Sequence, residues 1–354
     1  MLRDPANQPL TAGFDLHGTD AETVWTGEVP AVTPVDRFFV RSHTTAPVID
    51  PGLWQLLVTG DGVYRQPTYS LDQLQDFTTL TAEYALECTG NGRQFFARQQ
   101  GTPRPGTPWE LGAIGVARWT GVRLGDVLRH AGLRPDATSV MPVGLDDPYV
   151  VDGVDYGRVR RPLPLAKALE DVLVVWAMNG RPLPLDHGFP VRLIVPGWVG
   201  VASIKWLGEL RVTTRPEPSP WNTRWYRMHG EGWGGERGSL GRMPVKSVVD
   251  TVGPFVAGRP TTLRGRAWSG EATIDGVTVS TDDGVTWQEA RLTGSNQASS
   301  WVRWELEVTF DTPWERCLVT RAVDSAGRTQ PDTAPDNDQG YLFSAPLRHP
   351  VVVR

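Results

Sequence analysis

Cysteine and histidine are scarce in this chain: two Cys and six His among 354 residues. So few thiols exclude a disulfide-built scaffold and leave at most one bridge, Cys88 to Cys317, whose geometry the sequence does not establish. A structural zinc site is also poorly supported, because Cys88 has no second cysteine nearby and no clustered histidine pair. Long apolar runs are missing, and no stretch approaches the ~20 residues needed to cross a bilayer. The first residues, MLRDPANQPLTAGFDLHG, lack the basic-then-apolar order of a signal peptide. The expectation is therefore a cytoplasmic protein, or a periplasmic one if a leader has been removed. Excess positive charge is absent too. With 35 Lys and Arg against 40 Asp and Glu, the net charge is −5, which argues against a nucleic acid or an anionic membrane as partner. No internal repeat and no low-complexity segment is present.

What the chain does have is turn-forming and aromatic residues, 38 Gly, 30 Pro and 15 Trp, which predict a loop-rich structure and not a helical bundle. Its length suits two domains. In the first two-thirds, 53–60 (LWQLLVTG) and 81–90 (TAEYALECTG) read as strands that stop at glycine. Residues 70–77 read as a short helix with Ser70 as N-cap, and 121–133 (GVRLGDVLRHAGL) as a longer helix stopped by Gly132 and Pro135. The apolar runs 172–184 and 188–200, broken by Gly and Pro, read as central strands feeding tight loops. The sum is an irregular α+β domain. Residues 215–244 have no apolar period and read as an interdomain connection too aromatic to be a passive tether. From Val245 onward, short alternating strands separated by Asp-Gly and Ser-Gly turns predict an all-β immunoglobulin-like sandwich. The boundary is placed at 235/236, giving domains 1–235 and 236–354. Cys317, in an alternating run, is expected to be a small buried apolar residue.

The chemistry centres on ECTGNGR (87–93). A thiolate needs cationic or hydrogen-bonding surroundings, and Gly90, Gly92 and Arg93 offer a turn with exposed N–H groups and a cation. The alternative is a buried structural cysteine ending a strand. Arg192 and Lys205 lie inside apolar segments, where a cation is costly unless it meets an anion. They are either halves of structural ion pairs or a phosphate clamp. His43 and His187 each stand near an arginine. Asp146, in GLDDP, is either a turn residue or an acceptor for a bound heterocycle.

Seven blocks, in order, bring these residues together: FFVRSH (38–43), ECTGNGRQFF (87–96), PWELGAIGVARWTGVRLGDVL (108–128), MNGRPLPLDHGFPVRLIVPGWVGVASIKWLG (178–208), and RGRAWSG, STDDGVTW and RAVDSAGRTQPD farther on. With them the chain resembles the sulfite oxidase family of molybdenum-cofactor enzymes, which also contains eukaryotic nitrate reductase. The resemblance implies a molybdopterin-binding α+β domain followed by a dimerisation domain, hence a homodimer. It implies that Cys88 is the one protein ligand of molybdenum, a soft thiolate completing a site whose other sulfurs come from the pterin. Phe39, Val40, Arg41, Ser42, His43, Asp146, His187, Arg192, Ser203, Ile204 and Lys205 then match cofactor contacts. Arg41, Arg93, Trp109 and Tyr226 match the pocket for a small anionic substrate, sulfite in the family's oxidases, and with Cys88 they form the expected catalytic set.

The chain departs from the family at Gln339 in APDNDQGYLFS, where vertebrate and plant sulfite oxidases carry a third pocket arginine. Arg237 or Arg242 is a candidate replacement. The alternative to sulfite oxidation is the same cofactor acting on another substrate, reducing nitrate or an S- or N-oxide. A cofactor-free binding protein with an immunoglobulin-like module is the non-enzyme alternative, and retention of Arg41, Cys88 and Arg192 weighs against it. No C-x-x-C-H haem attachment and no flavin or nicotinamide fingerprint occurs, so neither haem nor flavin is expected in this chain. Electrons are then expected to leave to an external acceptor, a cytochrome or dioxygen.

Overall fold

The structure is a computed structural model, and it describes residues 13–25, 27–215, 217–230, 232–233, 238–251 and 253–354. The proposed boundary at 235/236 and the candidate Arg237 lie outside the described residues.

After a hairpin, Phe14–His17 with Asp20–Thr23, the first part of the chain builds two sheets. One runs in the order Leu163–Pro164, Ser139–Gly144, Leu207–Thr213, Leu56–Thr59, Thr68–Tyr69. Its only parallel pair is Leu207–Thr213 with Leu56–Thr59. The other is antiparallel, in the order Arg181–Pro182, Leu173–Met178, Ile114–Arg123, Leu80–Glu87, with Arg192–Ile194 added beside Leu173–Met178. Helices Leu71–Gln75, Leu124–Ala131 and Leu165–Glu170 contribute to the apolar core of this part. Ser70 caps the first of these with a reciprocal capping box through Gln73. Val172 to Val175 are all buried, which explains a run of continuous rather than alternating apolar residues.

Two expectations need correction. The helix expected from Gly121 begins only at Leu124, and Gly121–Arg123 finish the strand Ile114–Arg123. Gly121 faces Val175 in the sheet, and a Cβ there would lie 2.0 Å from the Val174 carbonyl oxygen, so close strand pairing captures these residues. Leu53 is exposed, and the strand expected over 53–60 is confined to Leu56–Thr59.

The described residues after Thr213 are folded, as the aromatic content of 215–244 suggested. Pro220–Thr223 forms one helical turn capped by Ser219. Trp221, Tyr226, Met228 and Leu240 pack with Val199 and Tyr341 into a small core between the two halves of the molecule.

The C-terminal part is a two-layer β-sandwich. Lys246–Val249, Pro260–Trp268 and Trp301–Thr309 form one layer; Ile274–Ser280, Trp314–Asp324 and Arg348–Val353 form the other. Strand Gln288–Thr293 belongs to both. Gln288–Ala290 pair with Val277–Val279, and Arg291–Thr293 pair with Arg303–Glu305. Side chains from both layers, among them Leu263, Val302 and Trp304 facing Val277, Leu318 and Val353, share one core. Both cysteines are free, and Cys317 is half-buried at a strand position instead of sitting in that core.

The two parts are joined by a common apolar core in which Phe95, Phe96 and Ile114 meet Trp268, Trp301 and Phe343. Burying each such side chain contributes roughly 1.5–3 kcal/mol. At its edge Lys246 donates to Glu87 Oε1 (2.7 Å) and to the Asn91 carbonyl (3.0 Å), and Trp268 Nε1 donates to Glu87 Oε2 (3.1 Å). The C-terminal part thereby grips the turn that follows Glu87. Among the described residues no helix is long and apolar enough to cross a membrane.

Candidate active site

Cys88 ends the strand Leu80–Glu87, and its amide donates to Ala113 O (2.9 Å). The turn beyond it is not open, contrary to the expectation of exposed N–H groups. Gly92 N donates to Glu110 O, Arg93 N to Gly90 O, and Gly90 N–H is directed at the Cys88 sulfur. Each glycine has a steric reason. A Cβ on Gly90 would lie 2.7 Å from the Arg93 guanidinium, which folds back over the turn, and Gly92 adopts φ +89° against Phe343. Burial pushes the Cys88 thiol up, while Arg41, Arg93 and the Gly90 N–H favour the thiolate.

Two cavities meet at Cys88. The first spans about 780 Å³ of empty space including its open mouth. Phe39, Val40, Arg41, Ser42, His43, Asp146, His187, Arg192, Ser203, Ile204 and Lys205 all line it, so the structure brings every expected cofactor contact to one place. The segment 38–43 is held there by Val40, which exchanges two 2.9 Å backbone hydrogen bonds with Ala21. Gly188, at φ +103°, lets Arg192 and Lys205 converge, since a Cβ there would lie 3.0–3.1 Å from both of their Cβ atoms.

The electrostatics of this cavity are one-sided. Arg192 is buried and donates only to carbonyl oxygens, those of His187 (2.8 Å), Ser203 (3.0 Å) and Leu193 (3.3 Å). Lys205 donates to Ser42 Oγ (2.6 Å) and Asp186 O (2.8 Å). Neither cation takes part in an ion pair among the described residues. Burial pushes Arg192 down to about 9, and burial together with Arg192 pushes Lys205 down to about 7. His187 is held well below its ordinary value by burial and by these same cations. Asp146 moves the other way, up to about 6, because burial disfavours its charge, and its Oδ1 is buried without a hydrogen-bond partner.

The second cavity is lined by Arg41, Cys88, Arg93, Trp109 and Tyr226, the whole expected catalytic set, together with Thr107, Tyr149, Trp225, Gln339 and Tyr341. Burial works against the Arg41 charge, yet the neighbouring Asp20 carboxylate holds its guanidinium above its ordinary value. Arg93 donates through Nε to Gln339 O (3.1 Å) and through Nη1 to Thr107 O (2.6 Å). His43 is kept neutral by burial and by Arg41 and Lys205. The Trp221 indole N–H can only donate, so His43 Nε2 accepts from it (3.3 Å) and from the Tyr226 hydroxyl (3.0 Å), and the imidazole proton sits on Nδ1. Burial raises the Tyr226 phenol strongly, so it stays protonated.

Arg242 does not reach this cavity: it is exposed and pairs with Glu271. Sequence reasoning also missed several residues. Tyr341 stacks on Tyr226 (centroids 5.6 Å, planes 10° apart) and carries Arg93 over its face at 5.5 Å. Asp20 accepts from Ser42 N (3.1 Å) and Thr107 Oγ1 (2.7 Å) and pairs with Arg41 (3.4 Å). The nearness of Tyr341 to Gln339 was a usable signal for the first; nothing local marks Asp20.

Residues 43–221 match the model of the oxidoreductase molybdopterin binding domain, and residues 239–348 match the Mo-co oxidoreductase dimerisation domain. Mitochondrial sulfite oxidase of Mus musculus is 36% identical over 336 residues, covering 89% of this chain and 60% of the relative. Sulfite oxidase of Gallus gallus is 38% identical, covering 89% of this chain and 72% of the relative. The chain thus spans 60% of the length of the mouse protein. The crystal structure of the sulfane dehydrogenase SoxCD from Paracoccus pantotrophus superposes with a TM-score of 0.78 at 26% identity, covering 93% of this chain and 87% of that one. On the domain matches, the relatives and the shared fold, the chain belongs to the sulfite oxidase family of molybdopterin-binding oxidoreductases.

Proposed function

We propose that this chain is a molybdenum-dependent oxidoreductase that oxidises sulfite to sulfate and passes the electrons to an external acceptor. The observation that carries the reading is the position of Cys88, the one thiol at the junction of a cavity with uncompensated cations and a cavity with two arginines. The residues fit an anionic pterin cofactor. Arg192 and Lys205 form no ion pair among the described residues and suit its phosphate, the orphaned Asp146 Oδ1 is a ready acceptor for heterocycle N–H groups, and Cys88 supplies a soft metal ligand. When bound, the molybdenum centre supplies two-electron redox chemistry and oxygen-atom transfer, which no side chain here offers.

The chain's own residues bind and orient. Arg41 and Arg93 draw the anion toward Cys88 and hold it there. Tyr226 stays protonated, and its hydroxyl donates a hydrogen bond to His43 Nε2. Trp109, fully buried, closes the wall against water. Contacts from the C-terminal part, Gln339 O to Arg93 and Lys246 to Glu87, fix the turn that carries the thiol.

The same reading takes the acceptor as a separate cytochrome or dioxygen and the assembly as a homodimer, which the matched dimerisation domain supports. It places the domain boundary at 235/236 and the protein in the cytoplasm, or in the periplasm after loss of a leader. Steady-state assay of molybdenum-replete protein with sulfite and several acceptors tests the activity. Turnover with sulfite that is lost in Cys88→Ser while the fold persists is expected. Molybdenum-replete protein inert to sulfite but active on nitrate or an S- or N-oxide would replace the substrate assignment.

A further inference from the structure

The second cavity carries less positive charge than its two arginines suggest. Asp20 is buried, and its Oδ1 stands 3.4 Å from Arg41 Nη1, so a fixed carboxylate already compensates one of the two cations. His43 is neutral, and the C-terminal wall adds only Gln339 and Tyr341. Of the two guanidiniums in the lining, Arg41 thus has a carboxylate partner and Arg93 meets carbonyl oxygens alone.

Arg93 commits Nε to Gln339 O and Nη1 to Thr107 O, and Arg41 commits Nη1 to Asp20 and Ser42 O, so both guanidiniums are held in place by the chain itself. Aromatic surface is abundant: Trp109, Tyr149, Trp225, Tyr226 and Tyr341 surround the space beside Cys88. Trp109 and Tyr226 match the family's sulfite pocket, and Tyr149, Trp225 and Tyr341 add aromatic surface beyond that set, on which an apolar or aromatic substituent packs.

We propose that this cavity is built for a singly charged oxyanion bearing an apolar group on its sulfur, an organic sulfinate, in preference to a dianion. Asp20 is the positioning residue that sets the charge, and Tyr341 supplies the wall for the substituent. The inference rests on the molybdenum-oxidoreductase reading for its chemistry. That chemistry balances as R–SO2⁻ + H2O → R–SO3⁻ + 2H⁺ + 2e⁻: one S–O bond forms, sulfur is oxidised by two electrons, and two equivalents of a one-electron acceptor, ferricyanide in the assay, are reduced.

The test pairs turnover with binding on molybdenum-loaded protein. Benzenesulfinate should show a higher kcat/KM than sulfite at pH 8, with ferricyanide as acceptor. By calorimetry, benzenesulfonate should bind about tenfold or more tighter than sulfate, as one missing counter-charge and one buried ring imply. Asp20→Asn should narrow that ratio by strengthening sulfate. Tyr341→Val should narrow it by weakening benzenesulfonate alone, a selective change that general loss of structure would not produce. Gln339→Arg, which adds a cation without removing a buried group, should also shift the ratio toward sulfate. Sulfate binding as tightly as benzenesulfonate in the wild type, or a ratio unmoved by Gln339→Arg and Tyr341→Val, would overturn the inference. Absence of turnover of any substrate with the binding preference intact would instead count against the molybdenum chemistry and support the cavity assignment.

Discussion

The molecule buries cations in two regions and satisfies them by opposite means. Where the C-terminal sandwich meets the first domain, Lys246 reaches Glu87 at 2.7 Å, with side chains 3% and 2% exposed, and Arg266 forks onto Asp250 at 2.8 Å. In the cavity beside Cys88, Arg192 and Lys205 meet carbonyl and hydroxyl oxygens, and the carboxylates of Asp186 and Asp146 act on Lys205 only as weaker charges. The first arrangement completes itself within the chain. The second leaves positive charge to be met from outside, and that difference separates a structural cation from a ligand-binding one better than burial does.

Breaking the compensated side should have the largest effect. Lys246→Met leaves the Glu87 carboxylate buried and unpaired and should destabilise the protein by about 3–5 kcal/mol. Adding Glu87→Leu should recover most of that loss in chemical denaturation, and a loss in the single variant below ~1 kcal/mol would refute the contrast. On the uncompensated side an added anion should stabilise. Inorganic phosphate at ten to thirty times its Kd should raise the stability of cofactor-free protein by about 1–2 kcal/mol. Thermal melts of Arg192→Met and Lys205→Met should lose that gain, while Lys246→Met should keep it.

The smallest effect is a pH dependence. Lys205 has a folded value of about 7 against 10.5 for the free side chain, because burial and Arg192 disfavour its charge. The unfolded chain therefore binds more protons between those values, and the stability of cofactor-free protein should rise with pH across that window. Since the cavity admits water, the slope should stay below about 1 kcal/mol per pH unit. Denaturation of Lys205→Met at pH 7, 8 and 9 should show a flatter profile, and identical slopes in both proteins would remove Lys205 as the cause.

The contrast also shows which features were legible in the sequence. Cys88, Arg192 and Lys205 could be singled out because each is anomalous in its own neighbourhood: a rare thiol beside a glycine turn, and cations within apolar runs. What buried polar groups meet was mostly not legible: Arg192 meets nearby carbonyls, but Lys205 meets Ser42, 163 residues away, and other partners are as remote. Lys246 and Glu87 are 159 residues apart, and Asp20 and Thr107 are 87 apart. The role of Gly90 was misjudged for a different reason: the space it leaves is filled by the nearby Arg93 side chain folding back, and only the folded turn shows that. The helix start at 121 failed where strand pairing with Val175 overrode a helical apolar pattern. The immunoglobulin-like sandwich was legible because alternation and Asp-Gly turns are local, whereas the double membership of Gln288–Thr293 is a property of the packed layers.

The central claim is that the uncompensated cavity beside Cys88 holds a molybdenum-bearing anionic pterin. Molybdenum and pterin content, measured on protein purified from a cofactor-producing host, tests it most directly when wild type is set beside Cys88→Ser and Arg192→Met. The account predicts about one molybdenum and one pterin per folded wild-type chain, loss of both in Arg192→Met, and pterin retained without sulfite turnover in Cys88→Ser. Folded wild-type protein free of both molybdenum and pterin would contradict it.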